Sequence, residues 1–258
     1  MGSLTGLGGG VVIIPLLTIA FGVDIRYAIG ASLVSVIATS SCAASAYVRE
    51  GYSNVRIGML LEIATSLGAL GGAVVAAYVP TAGLAILLGV VLLFSVFASS
   101  HKDAIAVAAD PDSLGAKLQL NGDYPSANGR ISYTPKRVPL GFGIMGVAGM
   151  LSGLLGIGSG AVKVLAMDLA MGLPFKVSTT TSNFMIGVTA AASAGVYLHR
   201  GYIDPGLAMP VTLGVVAGSL AGAKLLASVR SRQLRVVFRA VILVLGVEMI
   251  YNGWTGRI

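Results

Sequence analysis

"GLLGIGSGAVKVLAMDL", residues 153–169, decides how this chain is read. The stretch is apolar and helical in character, yet Gly153, Gly156, Gly158 and Gly160 fall close together and are followed at once by Lys163 and Asp168. Glycine is about 1 kcal/mol poorer than alanine inside a helix, so such a cluster marks an interruption that something else must offset.

Composition identifies the solvent. Of 258 residues, 55% are hydrophobic and only 10% are charged, with a mean hydropathy of +0.89. Soluble domains carry about a quarter charged residues, so this chain belongs in a bilayer. Tyr27–Val48, Ile57–Val79, Ala82–Ala98, Val177–Leu198, Pro205–Ala227 and Leu234–Tyr251 each approach the roughly 20 apolar residues that cross the hydrocarbon. They are expected to be helices, because lipid offers backbone groups no partners and a barrel would show short alternating segments. The net charge of +7 does not point to nucleic acid, since Lys and Arg sit between apolar segments rather than along one face. Cys42 is the single cysteine, which excludes a disulfide within the chain and a cysteine metal cluster. His101 and His199 are too few and too separated for a metal site, and no serine stands in a nucleophile motif. Neither an enzyme nor a cofactor is expected.

Shifting the sequence by 150 lays residues 6–73 on 156–223 without a gap. Gly6, Gly8 and Gly10 fall on Gly156, Gly158 and Gly160; Ser32 on Ser182; Thr39 on Thr189; Gly51 and Tyr52 on Gly201 and Tyr202. The expected organisation is all-α and polytopic, with a first membrane repeat at 1–98, a cytoplasmic linker at 99–137 and a second repeat at 138–258. The counterpart of the apolar lead-in Val138–Leu151 would lie before Met1, so the first repeat is expected to have a truncated lead-in helix or to begin at its break. In the linker, "KLQLNGDY" and "GRISYTP" flank the turn formers "PSANG" and predict a small solvated β-hairpin.

Val138–Met171 is too long for one straight crossing and must bend at its glycines. Either it is a broken crossing, giving four crossings per repeat, or a re-entrant pair of half-helices, giving three. Setting aside Lys163 and Arg239, four crossings divide the other 15 Lys/Arg residues weakly. Three crossings put Arg26, Arg200 and Arg257 on one side and the remaining twelve on the other. The positive-inside rule favours that division, places the linker in the cytoplasm and inverts the second repeat relative to the first.

A glycine break in lipid frees backbone N–H groups, and a half-helix N-terminus carries positive partial charge. "GLGGG" (6–10) and "GIGSG" (156–160) therefore read as two related anion cradles, with Lys163 adding full charge one turn later. The candidate substrate-binding residues are Gly6, Gly8, Gly9, Gly10, Ser32, Gly156, Gly158, Ser159, Gly160, Lys163, Thr181, Ser182 and Asn183. The hydroxyls of "VSTTTSNFM" (177–185) either bond back to helix carbonyls or face the cradle. Lys163 is expected to meet the ligand or to pair with Asp168. Asp168 and Glu248 are expected at the interface, and Glu62, deeper in its segment, is a candidate for proton coupling. Gly68 with Gly72, and Gly214 with Gly218 and Gly222, read as small faces where helices approach.

"GLGGGVVIIPLL" (6–17), "GIGSGAVKV" (156–164), "GAS" (30–32), "TTTSNFMIGVTAA" (179–191) and "RGYIDP" (200–205) together make the chain resemble the TauE/SafE family of membrane transporters, the sulfite exporters. The resemblance implies a duplicated module of membrane helices in the cytoplasmic membrane and export of a small anion such as sulfite or an organosulfonate. Ser159 stands where a glycine is usual, and Leu165 where the first repeat has Pro15, so the two breaks are expected to differ. The implied partners are the anion and the lipid bilayer, with proton coupling and association of copies left open. A passive anion channel or a non-transporting scaffold is the alternative.

Overall fold

The computed structural model describes residues 9–49, 53–98, 114–126, 129–226 and 231–256. Gly6, Gly8, His101 and the first part of the linker lie outside the described residues, as does the side chain of Cys42.

The chain is helical, with α1 (Gly10–Pro15), α2 (Ile25–Arg49), α3 (Val55–Ala76) and α4 (Thr81–Ala98) before the linker. After it come α6 (Val138–Leu155), α7 (Gly160–Leu165), α8 (Phe175–His199), α9 (Pro205–Leu226) and α10 (Ser231–Thr255). In the linker, one helical turn, α5 (Leu114–Lys117), precedes β1 (Gly122–Ser126) and β2 (Gly129–Tyr133). Each short helix continues as a π-helical turn, Leu16–Ala20 after α1 and Ala166–Ala170 after α7. Pro15 lacks an N–H and would disturb the first turn in any case, but Leu165 precedes a π turn as well, so proline is not its cause. The starts of α1, α2, α3 and α4 lie 150 residues before those of α7, α8, α9 and α10.

Caps explain several of these starts. Asn54 accepts the amide of Ile57 at 3.1 Å and opens α3. Asp204, 150 residues later, accepts the amide of Gly206 at 2.8 Å and opens α9. A side-chain oxygen at the N-cap satisfies an amide that the helix itself leaves free.

Packing separates tight contacts from open faces. α3 and α6 run side by side in the same direction: a Cβ on Gly68 or Gly72 would strike the carbonyl of Gly146 or Met150, and one on Gly149 or Gly153 that of Thr65 or Ala69. α4 and α10 run antiparallel, with Gly89 against Gly246 and Ile250 and Gly253 against Ala82 and Ile86. α2 and α8 are antiparallel too, with Gly30 against Tyr202 and Ser40 against Gly187. Gly214 and Gly218, expected as a packing face, meet nothing within 4 Å. Nothing among the described residues occupies on α9 the place that α6 occupies on α3.

Among the described residues, α3 and α6 are long and apolar enough to cross a membrane, and shorter apolar helices run at Gly10–Ala20, Ile25–Ser41, Thr81–Val96 and Pro205–Ser219. The outward faces carry Ile63, Leu67, Phe94, Val147, Leu213 and Val244, all exposed. Phe21, Tyr27, Tyr78, Tyr251 and Trp254 are exposed toward one end of the bundle, as a membrane-interface belt requires.

The amide of Lys136 donates to the carbonyl of Met171 at 2.9 Å, and Gly141 lies against the Met171 side chain. The chain that enters α6 therefore returns through α7 to its starting level, a fold-back rather than one continuous traverse.

β1 and β2 pair antiparallel with Gly122 opposite Tyr133. The hairpin starts later than "KLQL" suggested, because Leu114–Lys117 makes a helical turn and Gln119 takes a left-handed φ of 52°. It is not fully solvated either. Leu120 and Tyr133 are buried in one cluster with Ile57, Val138, Met171 and Leu173.

Candidate functional site

The break is built by backbone conformation. Gly156 (φ 64°) closes α6 by donating its amide to the Ser152 carbonyl at 2.8 Å, Gly158 sits at φ 75°, and Ser159 at φ 42° opens α7. Left-handed backbone costs an L-residue roughly 1–2 kcal/mol, which glycine avoids and Ser159 does not. Gly156 to Gly160 are all buried. Among the described residues, the amides of Ile157, Gly158 and Ser159 have no hydrogen-bond acceptor, and the Ser152 and Ser159 hydroxyls have no partner. α7 and its π turn together run 160–170, so these free donors stand at the positive end of an aligned helix.

The start of α1 meets this break. Gly10 packs against Ser32, the Gly156 carbonyl and Ile157, so a Cβ there would lie 2.8 Å from that carbonyl oxygen. Ser32 donates to the same carbonyl at 2.9 Å, and Ser182 donates to the Gly160 carbonyl at 3.4 Å. Both serines thus hold the break in place, with their hydroxyl protons engaged by it. Gly9 caps α1 beside Val215. Thr181 accepts the Asn54 amide at 3.0 Å, and the Asn183 carbonyl accepts Ser40 Oγ at 3.0 Å, so both tie helices together beside the break. Thr179 and Thr180 bond back to Phe175 and Lys176.

Lys163 is fully buried. Its Nζ donates to Thr189 Oγ1 at 2.5 Å, and Thr189 Oγ1 lies 2.7 Å from Glu62 Oε1. Glu62 Oε1 also accepts Ser66 Oγ at 2.8 Å, while Glu62 Oε2 is buried without a hydrogen-bond partner. Glu62, 7% exposed, and Lys163 are thus opposite charges on α3 and α7 sharing one hydroxyl on α8. Thr189 is about 21 Å along α8 from Phe175, near the middle of that helix. A buried charge is tolerated when a counter-charge is in reach, and this chain of bonds supplies one. Asp168, expected at the interface, is only 3% exposed. Thr189 was missed as a site residue because the bonds that recruit it join three helices; Ser66, four residues from Glu62 on α3, did leave a local signal.

Toward the end carrying the aromatic belt, Arg26, Ala73, Ala76, Ala77, Tyr197, Arg200 and Tyr202 line a shallow crevice. Arg26 lies over the Tyr202 ring and donates to the Val79 carbonyl at 3.0 Å, and Arg200 lies over Tyr78. Among the described residues, neither guanidinium pairs with a carboxylate, and Arg26 Nε is buried without a partner. Tyr197 runs inward from here, and its hydroxyl lies 3.1 Å from the Gly153 carbonyl just before the break.

At the opposite end, Asn54 Nδ2 donates to Tyr133 Oη at 3.0 Å and to the Leu120 carbonyl at 3.2 Å. Burial pushes the Tyr133 phenol up from its ordinary value near 10; the Asn54 bond partly offsets this and Asp123 adds to it. The hairpin is thereby seated on the start of α3.

A family profile described as sulfite exporter TauE/SafE matches residues 1–249. The chain is 27% identical over 98% of its length to the probable membrane transporter protein YunE of Bacillus subtilis, of which it covers 93%. It is 29% identical over 85% of its length to YdhB of the same organism, also named a probable membrane transporter protein, covering 82% of it. It is 24% identical over 97% of its length to the probable membrane transporter protein MJ0441 of Methanocaldococcus jannaschii, covering 90% of it. No solved structure matches. With a buried lysine beside a glycine break, an apolar exterior and a profile match over nearly its whole length, the chain belongs to the TauE/SafE sulfite exporter family.

Proposed function

We propose that this protein is a secondary transporter of the cytoplasmic membrane that exports a small sulfur-containing anion, sulfite or an organosulfonate, by alternating access at a site between its two glycine breaks. In this reading, residues 1–98 and 138–258 are inverted repeats of three crossings and a re-entrant half-helix each, and 99–137 is a cytoplasmic linker. The 150-residue offset between helix starts, the antiparallel contact of α2 with α8 and the Lys136-to-Met171 bond support it. The observation that carries it is Lys163, fully buried one turn after three backbone amides that lack acceptors. Sulfite and the sulfonate group each offer three oxygen acceptors and a negative charge to that set of donors. Arg26 and Arg200 add positive potential at the non-cytoplasmic end, where the anion leaves.

Uptake of labelled sulfite or 2-hydroxyethanesulfonate into inverted vesicles tests this. Saturable uptake is expected, and Lys163→Ala should weaken it by about 10- to 100-fold, the loss of one charge-assisted bond. Gly158→Leu should abolish it. Uptake equal to that of empty vesicles rejects transport, unsaturable conduction identifies a channel, and indifference to Gly158→Leu identifies a scaffold.

A further inference from the structure

We infer that Glu62 is the proton-carrying group of the cycle, taking up one proton as an anion reaches Lys163 and releasing it as the anion leaves. This rests on the anion reading above. In the structure, Lys163 and Glu62 compensate one another through Thr189. An anion on Lys163 engages the only positive charge that Glu62 meets through that hydroxyl, leaving two negative charges on one buried cation. Such a surplus is expensive away from water. A proton on Glu62 removes it.

The atoms indicate where the proton sits. Glu62 Oε1 already accepts Ser66 and lies against Thr189, whereas Oε2 is buried with no hydrogen-bond partner, so the O–H bond forms at Oε2. The proton comes from water on the loading side and returns to water on the other, and no covalent bond of the anion changes. Thr189 relays the event. Its single proton has two acceptors, Glu62 Oε1 at 2.7 Å and the Met185 carbonyl at 2.9 Å, so it can turn to Met185 once Glu62 is neutral.

Asp168, five residues beyond Lys163 and buried, is the other carboxylate on the elements packed around Glu62. α6, packed along α3, brings no ionisable side chain between Val138 and Leu155. α8 brings Thr189, with Lys176 and His199 at its two ends, and α7 with its π turn brings Lys163 and Asp168.

The test uses the full chain in proteoliposomes with 2-hydroxyethanesulfonate, a strong acid that carries no proton itself, and with sulfite at alkaline pH, where it too is unprotonated. A pH dye inside the vesicles reads proton movement beside label uptake. The wild type should move one proton per anion in the same direction. Glu62→Gln should still exchange labelled anion across the membrane, more slowly, with that ratio falling from one to zero. Thr189→Val should lower the ratio while Glu62 remains. Anion flux without proton movement in the wild type, or proton movement that survives Glu62→Gln, overturns the inference and leaves the anion reading standing. No flux of either probe overturns both.

Discussion

Replacing Lys163 with methionine removes the positive charge but keeps most of the buried volume. The two bonds through Thr189 leave Lys163 Nζ and Glu62 Oε1 no more than about 5 Å apart, where an effective dielectric of ~20 gives an attraction of roughly 3 kcal/mol. Removing one member of a buried pair typically costs about 3–5 kcal/mol, because the other charge stays behind unpaired, and the lower figure applies where the unfolded helices also remain in lipid. Lys163→Met and Glu62→Gln should each therefore destabilise by roughly 3 kcal/mol, and the double variant by markedly less than their sum, with a coupling energy of at least about 2 kcal/mol. Reversible unfolding in mixed micelles, titrated with sodium dodecyl sulfate and followed by circular dichroism, measures all three. If the two single effects add in the double variant to within about 0.5 kcal/mol, the charges do not sense one another and the reasoning is refuted.

Further outcomes follow from helix packing and from the seating of the hairpin. Gly72→Ala should destabilise by about 1–3 kcal/mol, because its Cβ would strike the Met150 backbone, whereas Gly218→Ala should be neutral or stabilise by up to about 1 kcal/mol, since it meets open space; thermal melts of the two variants in detergent compare them directly. Tyr133→Phe should loosen the hairpin by about 1 kcal/mol, read as faster amide exchange at 120–133. The seated state favours the neutral phenol, so its contribution is complete below pH 10 and is lost as pH rises through the raised value; amide exchange that stays slow in strong alkali in the wild type would contradict this.

What could be read along the chain was whatever leaves a local mark. The glycine cluster marked the break because positive φ at Gly156 and Gly158 selects glycine, and the fold-back of α6 onto α7 was foreshadowed by a helical stretch too long for one crossing. Asn54 and Asp204 are readable as caps from residue type and position. The partner of Lys163 was not readable. Asp168 is near in sequence, but the side chain instead meets Thr189 and through it Glu62, a choice made by how α3, α7 and α8 pack. Gly214 and Gly218 have the same small-residue spacing as Gly68 and Gly72, yet only the latter pair has a helix against it. Spacing encodes the capacity for close approach, whereas the approach itself depends on a second helix being present.

The break gathers several groups whose burial is costly. Ser159 holds a left-handed backbone, three amides lack acceptors, two serine hydroxyls lack partners and a lysine is fully buried, all between Ser152 and Lys163. Each feature alone is unfavourable, and a purely structural kink needs none beyond the glycines. Glu62 balances the full charge of Lys163 and leaves the amides and the positive end of the 160–170 helix uncompensated. At the break itself, what stays unanswered is a set of donors. A break rich in unanswered donors gains most from a guest that is an acceptor on every side. In the function proposed above, that guest is an oxyanion.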